Sequence, residues 1–196
     1  TIHMKSVGEV MAIGRTFKEA IGKAIRSLES GRCGFESLWP SGSDKWSAEQ
    51  RTEFLREKLM IPNPDRLWHI ADAMRFGLSL DDIYKWTHID HWFLYNIKQI
   101  LDMEAGIKQH CKSDRPFAPT SEGNNKFSMD REMLIEAKQY GYSDKYLAYL
   151  CNVEEKTIRK YRQKEAIRPV YKHVDTCGAE FKAFTPYLYS TYETSC

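Results

Sequence analysis

From Phe17 onward the apolar residues fall at the helical interval: Phe17, Ala20, Ile21, Ala24, Ile25 and Leu28 form one stripe. Thr16 and Glu19 stand at capping-box spacing, so Thr16 predicts the helix start, and Gly31 predicts its stop. Before this helix, residues 5–14 (KSVGEVMAIG) are short, glycine-punctuated and partly β-branched, which predicts a strand or extended piece. Residues 31–44 are rich in Gly, Ser and Pro and read as loop. Ser47 and Gln50 make a second capping box, for a helix to about Leu59. Asn63-Pro64 then reads as cap and first position of a helix with Leu67, Ile70, Ala71 and Met74 inward and Gly77 closing it.

Ser79 with Asp82 starts a short helix containing Ile83 and Trp86. Asp90 starts a longer one, with Phe93, Leu94, Ile97, Ile100, Leu101 and Ile107 inward. The polar stretch from Lys112 to Phe127 reads as a long exposed loop. Three more helices are predicted: Ser128 to Gly141, Ser143 through Cys151, and about Glu154 to Lys164. Val170 to Val174 alternates weakly, like an edge strand, and Thr185 to Tyr192 is an aromatic tail. The pattern therefore predicts an all-α fold of helical hairpins packed compactly, with short β or non-helical segments at both ends.

Two stretches agree at an offset of 64 residues. Ala73, Gly77 and Ser79 match Ala137, Gly141 and Ser143, at stop and cap positions. The apolar positions Phe76, Ile83, Trp86, Ile89 and Leu94 match Tyr140, Leu147, Leu150, Val153 and Ile158. Identities at caps, stops and core positions together predict an internal duplication.

Composition narrows the function classes. The chain has 196 residues, 42% hydrophobic and 29% charged, with a formal net charge of +2. That is a globular composition, and its bulk charge proposes no nucleic-acid or anionic membrane partner. Mean hydropathy is −0.58. No apolar run nears the ~18 residues of a membrane span, and Thr1 to Gly8 has no apolar signal-peptide core. The five cysteines (33, 111, 151, 177, 196) are odd in number and include no C-x-x-C pair; with no secretion signal, the expectation is a reduced, cytoplasmic setting, with Cys151 and Cys177 as small buried apolar groups. His88 and His91 are the closest metal-like pair, but no partner stands at ligand spacing, so no metal site is expected. No phosphate loop, dinucleotide fingerprint, nucleophile elbow or catalytic triad is legible. The segment Glu154 to Arg168 carries six cations (Lys156, Arg159, Lys160, Arg162, Lys164, Arg168) and three carboxylates, so a DNA-binding helix-turn-helix is the alternative reading. Against it stand the small net charge and the apolar, aromatic counterpart helix at His91 to Tyr95.

The two end blocks add what periodicity does not. Met4 to Thr16 (MKSVGEVMAIGRT) with FKEAIGKAIRSLE closely resembles a segment of the carbamoyl phosphate synthase large chain. Val170 to Phe181 (VYKHVDTCGAEF), Thr185-Pro186-Tyr187 and Tyr189 to Glu193 resemble a later segment of that family, and DRLWHIADAMRFGLS and Ile89 to Leu94 fit between them. Gly178 stands where the family more often has Ala. The resemblance implies a piece spanning three regions: the tail of a first ATP-grasp synthetase half (1–30), a helical connection or oligomerization domain (31–168), and the entry to a second half (169–196). It implies no catalytic, cofactor-binding or metal-ligating residue in this chain. ATP and Mg or Mn would belong to the parent ligase, which makes carbamoyl phosphate from bicarbonate, glutamine-derived ammonia and two ATP for arginine and pyrimidine synthesis. The implied partners are the synthetase halves, a glutaminase small chain and further copies of the chain itself.

Overall fold

Caps and stops dictate most of the observed architecture. The computed structural model describes residues 10–113, 127–178, 180–182 and 184–193. Among the described residues stand eight helices: α1 Phe17–Ser27, α2 Ala48–Met60, α3 Arg66–Phe76, α4 Leu80–Thr87, α5 His91–Ser113, α6 Arg131–Gln139, α7 Asp144–Cys151 and α8 Glu155–Lys164. Two strands, β1 Val170–His173 and β2 Leu188–Thr191, pair antiparallel with Val170 opposite Thr191. The fold is all-α with a small terminal ribbon. It divides into two compact units, one of Phe35–Asp102 and one of Val10–Gly34 with Met103–Cys196.

Ser47, Ser79 and Ser143 each accept the backbone N–H three residues on, and Ser47 with Gln50 completes both halves of its box. Two starts move. Asp130, not Ser128, caps α6, because its carboxylate reaches the Met133 N–H at 3.1 Å. Asn63 is not a helix cap: its Oδ1 accepts from Asp65 N while its Nδ2 donates to the carbonyls of Lys58 and Ile61. It fastens the end of α2, and α3 begins only at Arg66. Residues 10–14 form no strand, and residues 5–9 of that expectation lie outside the described residues. The expected loop begins later than Lys112, since α5 runs to Ser113, and residues 114–126 lie outside the described residues.

The duplication appears as matching geometry. At the 64-residue offset, Gly77 and Gly141 both take positive φ (100° and 89°), and so do the helix ends His88 and Asn152 (54° and 52°). α4 and α7 are both eight residues long and both begin one residue after a capping serine. Ala73 and Ala137, Ile83 and Leu147, and Leu94 and Ile158 are all fully buried.

In the Phe35–Asp102 unit, α2 packs on α3 and α4. α3 is buried at every residue from Trp68 to Ala73, not along one face only. The reason is the loop before α2, which covers its second side: Asp72 accepts Leu38 N at 2.7 Å, and Arg75 donates to the Phe35 carbonyl. Trp39 packs against Trp46, Phe54 and Phe76 there. Phe93, expected inward, is 43% exposed, because it lies beside Leu94 off the buried stripe of α5.

In the second unit, α7 packs on α8, and the Tyr146 hydroxyl donates to buried Glu104 at 2.7 Å. Cys151 is buried as expected, but it is bonded to Cys111, 40 residues away, and Cys177 is only half-buried. Helix packing brings the first pair together, which spacing in sequence could not reveal. Of the α1 stripe only Ile25 is fully buried, and Leu28 is exposed. α1 approaches the α6–α7 turn through two glycines. A Cβ on Gly22 would stand 2.8 Å from the Gly141 carbonyl oxygen, and one on Gly141 would stand 2.9 Å from Glu19 Cα. Gly22→Ala gains about 1 kcal/mol of helix propensity, but crowding against fixed backbone costs about 2–3 kcal/mol. A net loss of about 1–2 kcal/mol is expected in urea denaturation.

Candidate functional site: a polar junction of the first and last segments

The site grows from the start of α1. Thr16 Oγ1 accepts the Glu19 N–H at 3.2 Å, which is half of the expected box. Glu19 does not close the other half on Thr16. Its carboxylate reaches one residue further back, accepting Arg15 N at 2.8 Å, and it is only 3% exposed. The same oxygen accepts the hydroxyl of Thr191 on β2 at 3.0 Å. Lys23, one turn on, lies 3.0 Å from Glu19 and donates to the carbonyls of Ile13 at 2.8 Å and Ser190 at 2.5 Å. At the rim, Arg15 pairs with Glu193 at 3.0 Å, and Lys172 of β1 pairs with the same carboxylate. The Lys172 hydrogen bond holds the Glu193 carboxyl below its ordinary range. A buried carboxylate that takes a charge-assisted bond from each side is a strong, directional tie.

Behind this clasp lies a second charged cluster. Lys138 is 5% exposed and donates to the Tyr142 carbonyl at 2.6 Å and to Asp144 at 2.8 Å. Arg162 grips Asp144 in a fork, with Nη2 at 2.9 Å. Burial lowers the affinity of Lys138 for its proton, against the pull of Asp144. Burial alone would raise the Asp144 carboxyl, but the hydrogen bond from Arg162 and the charge of Lys138 outweigh it and hold the carboxyl low. Tyr192 lies over both cations, its ring centroid 5.0 Å from Lys138 Nζ and 5.8 Å from Arg162 Cζ. Burial pushes its phenol up, so the hydroxyl keeps its proton at neutral pH.

These groups fasten segments together. The remaining residues weighed from sequence lie elsewhere. His88 caps the end of α4 and His91 opens α5, bonded to Asp81 at 2.9 Å, and both rings touch Tyr84. Among the described residues no group of three His, Cys, Asp or Glu side chains is placed to hold a metal ion. Among the described residues no helix is long and apolar enough to cross a membrane. The basic face expected of the 154–168 segment is reduced, since Arg162 turns inward to Asp144 and Arg159 pairs with Glu155. Of the clasp residues Arg15, Glu19, Lys23, Thr191 and Glu193, the sequence pattern points only to Glu19, and there as part of a helix cap, not as a tie to β2. The further signal available was that this carboxylate stands among the stripe positions Phe17, Ala20 and Ile21.

Residues 9–166 match the family described as the oligomerisation domain of the carbamoyl-phosphate synthetase large chain. The chain is 45% identical over 193 residues to the carbamoyl phosphate synthase large chain of Myxococcus xanthus, covering 98% of this chain and 16% of that one. It is 46% identical over 190 residues to that of Archaeoglobus fulgidus, covering 97% and 16%. With the N-terminal section of the Aquifex aeolicus large chain it shares 45% over 193 residues, covering 98% and 30%. The chain thus spans about a sixth of the full-length relatives. Nothing in these matches supports a DNA-binding protein. With a family match over most of its length and relatives alike from end to end, the chain belongs to the oligomerisation-domain family of the carbamoyl phosphate synthase large chain.

Proposed function

We propose that the chain is a non-catalytic connector inside a glutamine-dependent carbamoyl phosphate synthase, and that it also carries contacts for self-association. On this reading residues 1–30 are the tail of a first synthetase half, 31–168 the connection domain, and 169–196 the entry to a second half. The parent ligase uses bicarbonate, glutamine-derived ammonia and two ATP, with Mg or Mn, in the cytoplasm, and a glutaminase small chain supplies the ammonia. None of the chain's own residues is catalytic, cofactor-binding or metal-ligating. The observation that carries the reading is the clasp: Glu19 on α1 bonds Thr191 on β2 across 172 residues of sequence. The segment assigned to the first half is thereby held against the segment assigned to the second.

The partly uncovered α1 stripe supports a chain that packs against further protein, since apolar surface of this kind seeks cover. The purified chain is expected to show no bicarbonate-dependent ATP hydrolysis. Light scattering over increasing concentration is expected to show association beyond the monomer. A bicarbonate-dependent ATPase would overturn the non-catalytic role, and a strict monomer at high concentration would overturn self-association.

A further inference from the structure

A cavity of about 410 Å³ opens beside the clasp, between α1, the α6–α7 turn and the β1–β2 ribbon. Its charges do not balance. Lys23, Arg26, Lys138 and Lys145 line it, against the carboxylates of Glu19, Asp144 and Glu155. Each carboxylate is already engaged: Glu19 by Lys23, Glu155 by Arg159, and Asp144 by both Lys138 and Arg162. Asp144 therefore answers two cations with one charge. Arg26 has no ion pair among the described residues, and its one hydrogen bond runs from Nη1 to the Gly141 carbonyl at 2.8 Å. A guanidinium carries five N–H donors, so most of the Arg26 fork remains uncommitted. Burial lowers the pKa of this half-buried side chain, against the opposing pull of Cys33, Tyr192 and Glu19.

Two further donors stand at the wall. Lys145 is exposed at the mouth with no ion pair among the described residues. Tyr192 keeps its hydroxyl proton and lines the same wall. An excess of positive charge, a free fork of N–H groups and a phenol donor converge on one space. That set is complementary to an oxygen-rich anion, because charge-assisted bonds to oxyanions are short and strong and Arg matches their geometry in pairs. A cation would meet like charge here, and an apolar ligand would leave the Arg26 donors desolvated without partners.

We propose that this cavity is a binding site for a small oxyanion of the phosphate class, with Arg26 as its principal anchor and Lys145 and Tyr192 completing the donor set. The site lies wholly within the unit of Val10–Gly34 and Met103–Cys196, so it is independent of the connector role. Because the anion would touch Arg26 on α1 and Tyr192 just after β2, its binding would strengthen the tie between the same segments that Glu19 joins.

The test is titration of the 196-residue chain with inorganic phosphate at constant ionic strength, chloride being the balancing anion. Two readouts are followed: the thermal midpoint, and the amide signals of Gly141 and Tyr192. A saturable change with a Kd at or below about 1 mM is expected. Arg26→Gln is expected to weaken it about tenfold or more, the scale of one lost charge-assisted hydrogen bond. Lys145→Ala, at an exposed position that folding does not depend on, is expected to weaken it about threefold by removing one charge. Lys98→Ala, far along the sequence on α5, is expected to leave phosphate binding unchanged. The absence of any saturable response in the wild-type chain overturns the proposal. So does an unchanged affinity in Arg26→Gln. If that variant fails to fold, an unchanged affinity in Lys145→Ala overturns it instead.

Discussion

Replacing Asp144 with alanine is expected to cost about 3–5 kcal/mol of folding stability, the largest single-residue effect outside the apolar core. Asp144 is 9% exposed and is the common partner of Lys138 and Arg162. Its removal leaves Lys138, at 5% exposure, with only the Tyr142 carbonyl to accept from it among the described residues. A buried ammonium without its counter-ion is far more costly than a surface pair is worth. Lys138→Met in the same background is expected to recover a large part of the loss, because it removes the stranded charge and keeps most of the volume. Urea denaturation at pH 7 measures both variants, and a loss below about 1 kcal/mol for Asp144→Ala would refute the account.

The same residue sets an acid dependence. Its folded carboxyl is held below its ordinary value, so the stability it contributes is fully present above the unfolded pKa, about 3.9. That stability is lost as pH falls through the lower, folded value. The gap between wild type and Asp144→Ala is therefore constant near neutrality and closes below about pH 4.

Glu19→Ala is the second large effect, at about 3 kcal/mol, since it too breaks a buried pair from one side. It removes the acceptor shared by Arg15 N, Thr191 and Lys23. Its consequence is localised, unlike that of Asp144. Amide exchange in β1 and β2 is expected to speed up about a hundredfold, by the conversion of 1.4 kcal/mol per factor of ten, while α7 and α8 keep their protection. Lys23 retains the Ile13 and Ser190 carbonyls, so part of the tie survives. Equal loosening of the ribbon and of α7 would show that Glu19 supports the whole unit and is not a clasp. An unaltered ribbon would show that it does not bridge at all.

What was legible in the sequence was local. Ser47, Ser79 and Ser143 announce helix starts because a cap is decided by a side chain and an N–H three residues apart. Where two polar residues compete for the same role, local pattern does not decide between them. Asp130 displaced Ser128, and Asn63 turned back to α2. The duplicated unit was visible because identical caps and glycines recur at one offset, and their backbones adopt the same left-handed conformations. The buried sides of α3 were not visible, because an irregular loop covers the second face and loops carry no periodicity. The Cys111–Cys151 bond and the Glu19 clasp were not visible either. They join residues 40 and 172 positions apart, and only tertiary packing chooses such partners. The family resemblance at both ends was legible as sequence, but not the fact that those ends are bonded to each other.

That meeting has a geometric consequence. Between Arg15 and Glu193 the backbone travels through eight α-helices among the described residues, yet the two side chains finish 3.0 Å apart. The intervening residues are thus a closed excursion, and its contour length is decoupled from the separation of its two anchor points. Any segments joined before Arg15 and after Glu193 are spaced as though a tight turn linked them. Lengthening or trimming the sequence between Ser113 and Phe127 would alter the excursion while leaving that spacing as it was.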